Sequence, residues 1–177
     1  CVTYGELDRM SNALAHALAA RGVARGDRVV VFADNTVETV TAFWAVLKAN
    51  AVVSIVNPLT KADKLAYLLN DCRASALVTD GHITPVFAEA ASKSSHLRTI
   101  VVSGALDPKR LAGLPGVVSW GEALGSGAHD RPPPRQLGGR RAEHTPGGDV
   151  WKVMLFELFE VPAADAKDVH RGSEPGE

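Results

Sequence analysis

The sequence predicts an α/β fold: a doubly wound, mainly parallel sheet with flanking helices, followed by an irregular C-terminal tail. Three observations lead there. Four short apolar runs begin near residues 29, 52, 76 and 99, spaced by 23 or 24 residues. The stretches between them carry helical periodicity and capping residues. That interval holds one strand, one crossover helix and two short loops, which is what parallel neighbours need.

Taken in order, Thr3-Tyr4-Gly5-Glu6 fits a capping box, with Val2 and Leu7 placed as a hydrophobic staple. Leu7, Met10, Leu14, Ala17 and Leu18 recur on one helical face, and Gly22 is the stop. Arg25-Gly26-Asp27 turns into Val29-Val30-Val31-Phe32-Ala33, an unbroken apolar run that suits a strand buried on both faces. Asn35 is expected to cap the next helix, with Glu38 in its first turn and Val37, Val40, Trp44 and Leu47 as its inward stripe. Asn50 takes the left-handed end position, and Ala51 to Val56 is the second strand. Thr60 is read as the cap of a third helix, with Asp63 in its first turn and Leu65, Leu68 and Leu69 facing inward. Ala76-Leu77-Val78-Thr79 and Thr99-Ile100-Val101-Val102 are the third and fourth strands. Between them His82 to Ser92 forms a weaker helix, interrupted early by Pro85.

The pattern decays after Gly104, with Ser119 placed to cap a short turn through Leu124. The expected division is a partial α/β domain over 1–124, a Gly/Pro/Arg-rich linker over 125–149, an apolar segment over 150–161 and a polar tail over 162–177. The 150–161 segment, with Trp151, Met154, Leu155, Phe156, Leu158 and Phe159, is too apolar to leave in water. It is expected to fold back on the sheet or to meet a protein partner. The chain opens in mid-pattern at Cys1-Val2-Thr3 and reads as a piece of something longer.

A net charge of −1 gives no reason to expect nucleic acid or an anionic membrane surface as partner. No apolar run is long enough to cross a bilayer. Two cysteines, Cys1 and Cys72, make no disulfide framework and suit a reducing, cytoplasmic compartment. Asp34-Asn35, Asn57-Pro58, Asp80-Gly81 and Ser103-Gly104 all follow strands. They therefore sit on the carboxyl edge where open α/β sheets bind ligands, although each also has an ordinary turn or cap role. His16 reads as a packed or surface residue, and the other histidines lie scattered in loops without a Cys or carboxylate at metal-ligand spacing. Ser11, Ser54 and Ser103 lack a nucleophile-elbow context, and Cys72 reads as an inert packed thiol. The arginines from Arg131 to Arg141 lack interleaved aromatics and read as solvated linker. No residue is assigned a catalytic, cofactor-binding or metal-binding role.

Thr3-Tyr4-Gly5-Glu6-Leu7, Ser11-Asn12-Ala13-Leu14-Ala15, Arg21-Gly22-Val23 and Gly26-Asp27-Arg28-Val29 recur here in a specific order and spacing. Ala42 to Ala49, Val56-Asn57-Pro58, Lys64 to Asp71 and Ala76 to Asp80 continue it. Together they resemble the N-terminal subdomain of the AMP-forming adenylating superfamily, which includes acyl-CoA synthetases, over residues 1 to about 104. One departure is Asn50, where that family usually has Gly. The resemblance implies ATP-dependent activation of a carboxylic acid to an acyl-adenylate and then thioester formation, with ATP, Mg²⁺ and coenzyme A as the family's cofactors. It also implies a Ser/Thr/Gly-rich phosphate loop ending in Pro-Lys-Gly, an acidic ribose ligand and a lysine on a C-terminal domain, none of which is intact in this sequence. Thr145 to Leu155 stands about where the phosphate loop belongs. Pro146 and Trp151 occupy positions that want small residues, and Asp149 puts negative charge where phosphate binds. The expectation is therefore a ligase fragment that binds no cofactor alone. The alternative is a non-catalytic α/β interaction module.

Overall fold

The computed structural model describes residues 2–130 and Pro132. The phosphate-loop remnant, the 150–161 segment, the polar tail and most of the linker lie outside the described residues, as does Cys1.

Among the described residues, six α-helices and five strands alternate. They are α1 (Tyr4–Ala20), β1 (Arg28–Phe32), α2 (Val37–Lys48), β2 (Val52–Val56), α3 (Ala62–Asp71) and β3 (Ala76–Asp80), then α4 (Thr84–Ser92), β4 (Thr99–Ser103), α5 (Pro108–Leu111), β5 (Val117–Ser119) and α6 (Trp120–Ser126). All five strands are parallel, in the order β2-β1-β3-β4-β5. Val29, Val31, Ala76, Val78 and Val101 face a core shared with α1, α2 and α6. By strand alternation, Val30, Phe32, Leu77 and Ile100 point to the opposite face. All of β3 is buried, as expected for a central strand covered on both sides.

The capping box at α1 is present: Thr3 N–H donates to Glu6 Oε2 at 2.8 Å and Glu6 N–H to Thr3 Oγ1 at 3.2 Å. Of the expected staple, Val2 stays exposed and Leu7 is half-buried. Three helices end in the same paired turn. At α1, Val23 N–H reaches Leu18 O and Gly22 N–H reaches Ala19 O, with Gly22 at φ 87°. Ala51 and Asn50 repeat this at α2 onto Val46 and Leu47, with Asn50 at φ 59°. Ala74 and Arg73 repeat it at α3 onto Leu69 and Asn70, with Arg73 at φ 49°.

Several expectations are corrected. The buried flank of α1 comprises Ser11, Asn12, Ala13, Leu14, Ala15, Ala17 and Leu18, whereas Met10 and Leu7 are only half-buried. The helix is the middle one of its layer, packed between α2 and α6, so it is covered on its sides as well as underneath. The inward stripe foreseen for α2 faces out: Val37, Val40, Trp44 and Leu47 are 42%, 46%, 47% and 42% exposed. The helix buries Thr39, Thr41, Ala42, Ala45 and Val46 instead, because small side chains allow close approach to the sheet and to α1. Its N-cap is Thr36, not Asn35, accepting from Thr39 N–H. The N-cap of α3 is Lys61, without a side-chain bond, while Thr60 N–H closes a turn onto Asn57 O. Leu65 and Leu69 are buried and Leu68 half-buried. Pro85 does not interrupt a helix. It sits in the first turn of α4, where its missing N–H costs nothing, and His82 belongs to a preceding 3₁₀ turn, Gly81–Ile83. Past Gly104 the fold continues through α5, the parallel strand β5 and α6, the last capped by Ser119 as expected.

Candidate functional site at the carboxyl edge of the sheet

The chain runs from β1 out to β2, then returns to add β3 on the other side of β1. The β1/β3 boundary is thus the point where the winding direction reverses, and the carboxyl ends of the strands there are where open α/β sheets bind ligands. Asp34 follows β1, Asp80 ends β3, His82 lies in the turn after it and Ser103 ends β4. Asp80 is the centre of the group and is 5% exposed. Its Oδ2 accepts Asp34 N–H at 2.8 Å, and its Oδ1 accepts the Ser103 hydroxyl. Asp34 Oδ2 lies 3.1 Å from His82 Nε2, both side chains being half open to solvent. Thr39 Oγ1 donates to Asp34 O, fixing the start of α2 beside this boundary. A Cβ on Gly81 would lie 2.0 Å from Ala105 O, so only glycine lets the loop after β4 press on this turn.

One ligand atom from each of Asp34, Asp80 and His82 lies within 4.8 Å of the others. Two carboxylate oxygens and an imidazole nitrogen are a donor set for a divalent cation. Asp34 and Asp80 also have structural work, because Asp80 fastens the ends of β1, β3 and β4 together.

The structure therefore brings Asp34, Asp80 and Ser103 together, as three of the four strand-end positions named from the sequence. Asn57 stands apart in its own turn, its Oδ1 accepting Leu59 N–H at 2.9 Å. His82 escaped the sequence reading, which found no carboxylate near any loop histidine. Its spacing from Asp80 was visible, but the approach of Asp34 depends on the pairing of β1 with β3. His16 bonds the carbonyl of Asp130 at 2.9 Å through Nε2. Ser11 donates to Leu7 O and accepts from Lys48, and Ser54 Oγ is buried without a hydrogen-bond partner. Burial pushes the Cys72 thiol up, with the Arg28 charge opposing, so this sulfur is not activated as a nucleophile.

Residues 1–138 match the family model of the AMP-binding enzyme. The chain belongs to the AMP-binding enzyme family. Among curated AMP-binding relatives, it is 33% identical over 103 residues to a 4-hydroxybenzoate--CoA/benzoate--CoA ligase of Rhodopseudomonas palustris, covering 58% of this chain and 19% of that protein. It is 37% identical over 102 residues to an L-2-aminoadipate reductase of Schizosaccharomyces pombe, covering 56% of this chain and 7% of that one. The fold matches an anthranilate CoA ligase solved with anthranoyl-AMP (TM-score 0.63, 25% identity, 71% of this chain and 23% of that one). It also matches a benzoate CoA ligase from Burkholderia xenovorans (TM-score 0.60, 26% identity, 72% and 24%). The matched part thus spans about a quarter or less of each of these proteins.

No helix among the described residues is long and apolar enough to cross a membrane.

Proposed function

We propose that this chain is the N-terminal scaffold of an AMP-forming acyl-CoA ligase and that it does not activate a carboxylic acid alone. The observation that carries the reading is the family match over residues 1–138 on an all-parallel sheet. Adenylate formation develops charge on a departing pyrophosphate, and backbone amides and cations must be aimed at it. By the family resemblance, the parts that would supply them lie later in a full-length member's chain, and Thr145 to Leu155 is a degraded counterpart of the phosphate loop. On this reading the chain contributes no catalytic, nucleotide-binding or metal-binding residue. The full-length protein uses ATP, Mg²⁺, coenzyme A and a carboxylic acid. The two cysteines of this chain favour a reducing compartment, the cytoplasm.

The test is ATP–pyrophosphate exchange with the purified 177-residue chain, Mg²⁺ and a panel of aromatic and aliphatic acids. Exchange no greater than in protein-free controls is expected. Acid-dependent exchange would mean that the chain carries its own phosphate-gripping groups and would end the proposal.

A further inference from the structure

The side chains gathered at the switch point differ from an ordinary set of strand-end turns in burial and in composition. Asp80 is 5% exposed, and the partners of its carboxylate are the Asp34 N–H and the Ser103 hydroxyl, both neutral. A buried carboxylate held by neutral donors has no opposite charge to balance it. Here a second carboxylate stands beside the first, with ligand oxygens of Asp34 and Asp80 within 4.8 Å of each other. Among the described residues, no lysine or arginine is paired with either one. The group that faces them is an imidazole, with His82 Nε2 lying 3.1 Å from Asp34 Oδ2.

That spacing suits two ligands of one ion. Donors bound to Zn²⁺ at its usual N and O distances stand about 3.3 Å apart at the tetrahedral angle. Each Asp80 oxygen uses one lone pair on its protein donor and keeps another free to bind. The same two hydrogen bonds fix the plane of the carboxylate, as partners behind a metal ligand do. His82 is held as well. Its 3₁₀ turn is closed by the Thr84 hydroxyl donating to Gly81 O, and Gly81 is pressed against Ala105. Asp34 and His82 are 51% and 60% exposed, so the open side of an ion between them faces water.

We propose that Asp34, Asp80 and His82 bind one divalent cation of the Zn²⁺ class, with water completing its shell. The imidazole selects against Mg²⁺ and Ca²⁺, which take oxygen ligands, and the absence of thiolate sets the site apart from a zinc-finger cage. The ion joins the loop after β1 to the turn after β3 and balances both carboxylates. It binds the folded chain, because only the pairing of β1 with β3 brings Asp34 to the other two, and so it stabilises that state by mass action. The site is independent of the ligase-scaffold reading, which concerns residues serving adenylate formation. A chain without exchange activity still binds the ion.

The experiment titrates the chelator-treated full chain with Zn²⁺ by calorimetry near neutral pH, and with Co²⁺ by absorption spectroscopy. One ion per chain is expected, together with a rise in Tm. The Co²⁺ form should show visible d–d bands without a thiolate charge-transfer band, which separates this site from Cys1 and Cys72. His82→Ala and Asp34→Asn should each weaken Zn²⁺ binding at least tenfold, and His96→Ala, at an exposed histidine away from the site, should leave it unchanged. Circular dichroism checks the folding of both variants, whose substituted side chains are half open to solvent; Asp80 is left intact because it fastens three strands. No binding by the parent chain overturns the proposal. So does binding that neither variant weakens, a thiolate band in the Co²⁺ spectrum, or Mg²⁺ binding as tight as Zn²⁺.

Discussion

At the ends of α1, α2 and α3 the same left-handed turn is taken by a glycine, an asparagine and an arginine. The geometry is common to the three, so the strain is set by the residue. Glycine has no Cβ to collide with the following carbonyl and asparagine tolerates the region, whereas for arginine it costs about 1 kcal/mol or more. Arg73→Gly should therefore stabilise the protein by about 1 kcal/mol, less the entropy glycine adds to the unfolded chain. Urea unfolding would show this as a higher midpoint at constant slope. The hydrogen bond from Arg28 Nη2 to the carbonyl of Arg73 survives the change, since on the Arg73 side it uses backbone only. Gly22 and Asn50 were legible as helix ends because their side chains suit the turn. Arg73 was not, since nothing in an arginine announces a left-handed backbone. The cap of α1 adds a pH dependence. Hydrogen bonds from the Thr3 backbone and side chain hold the Glu6 carboxyl below its ordinary value. A depressed carboxylate lends its stability above the ordinary pKa and loses it as pH falls through the folded one. Amide exchange in the first turn of α1 should thus quicken as pH is lowered into that range, after correction for intrinsic rates. Glu6→Ala should abolish the pH-dependent part.

Among the elements, α1 and α2 are joined by a polar bolt inside an otherwise apolar contact. Lys48 Nζ donates at 2.7 Å to Asp8 Oδ1, Ser11 Oγ and Asn12 Oδ1, and at 3.1 Å to Asp8 O. Ser11 and Asn12 are buried, so removing the ammonium takes a partner from groups that water cannot readily reach. Lys48→Met should destabilise by about 2–3 kcal/mol. In a double-mutant cycle with Asn12→Leu the combined loss should be less than additive, because the two positions share one network. The helices themselves were legible from caps and periodicity, but the phase of α2 was not. Periodicity locates two opposite faces and assigns the apolar one to the core, whereas here Ala42 and Ala45 decide which side can approach the sheet. The exposed apolar row Val37, Val40, Trp44 and Leu47 is the consequence of that reversed phase.

For the whole molecule, the parallel sheet followed from the 23- to 24-residue rhythm, because that interval admits little else. The order of the strands did not, since identical spacing serves a chain that winds one way or reverses at β1. The meeting of Asp34, Asp80 and His82 depends on that order, which is why only its strand-end members could be named in advance. β5 was missed because three residues, Val117-Val118-Ser119, give too short a run to signal a strand without its neighbour β4. Absence of exchange activity is the expectation at this scale, because a scaffold can be complete as a sheet and lack the chemistry its relatives build upon it. The two ends of the described fold also meet. Asn12 holds the carbonyl of His129 across 117 residues, His16 that of Asp130 across 114, and a Cβ on Gly127 would strike the backbone of Ala13. On a ribosome the first helix is therefore finished early and waits for its last partners until about a hundred further residues have emerged. Until then it must be shielded or left loose, so this layer locks only when synthesis has passed α6.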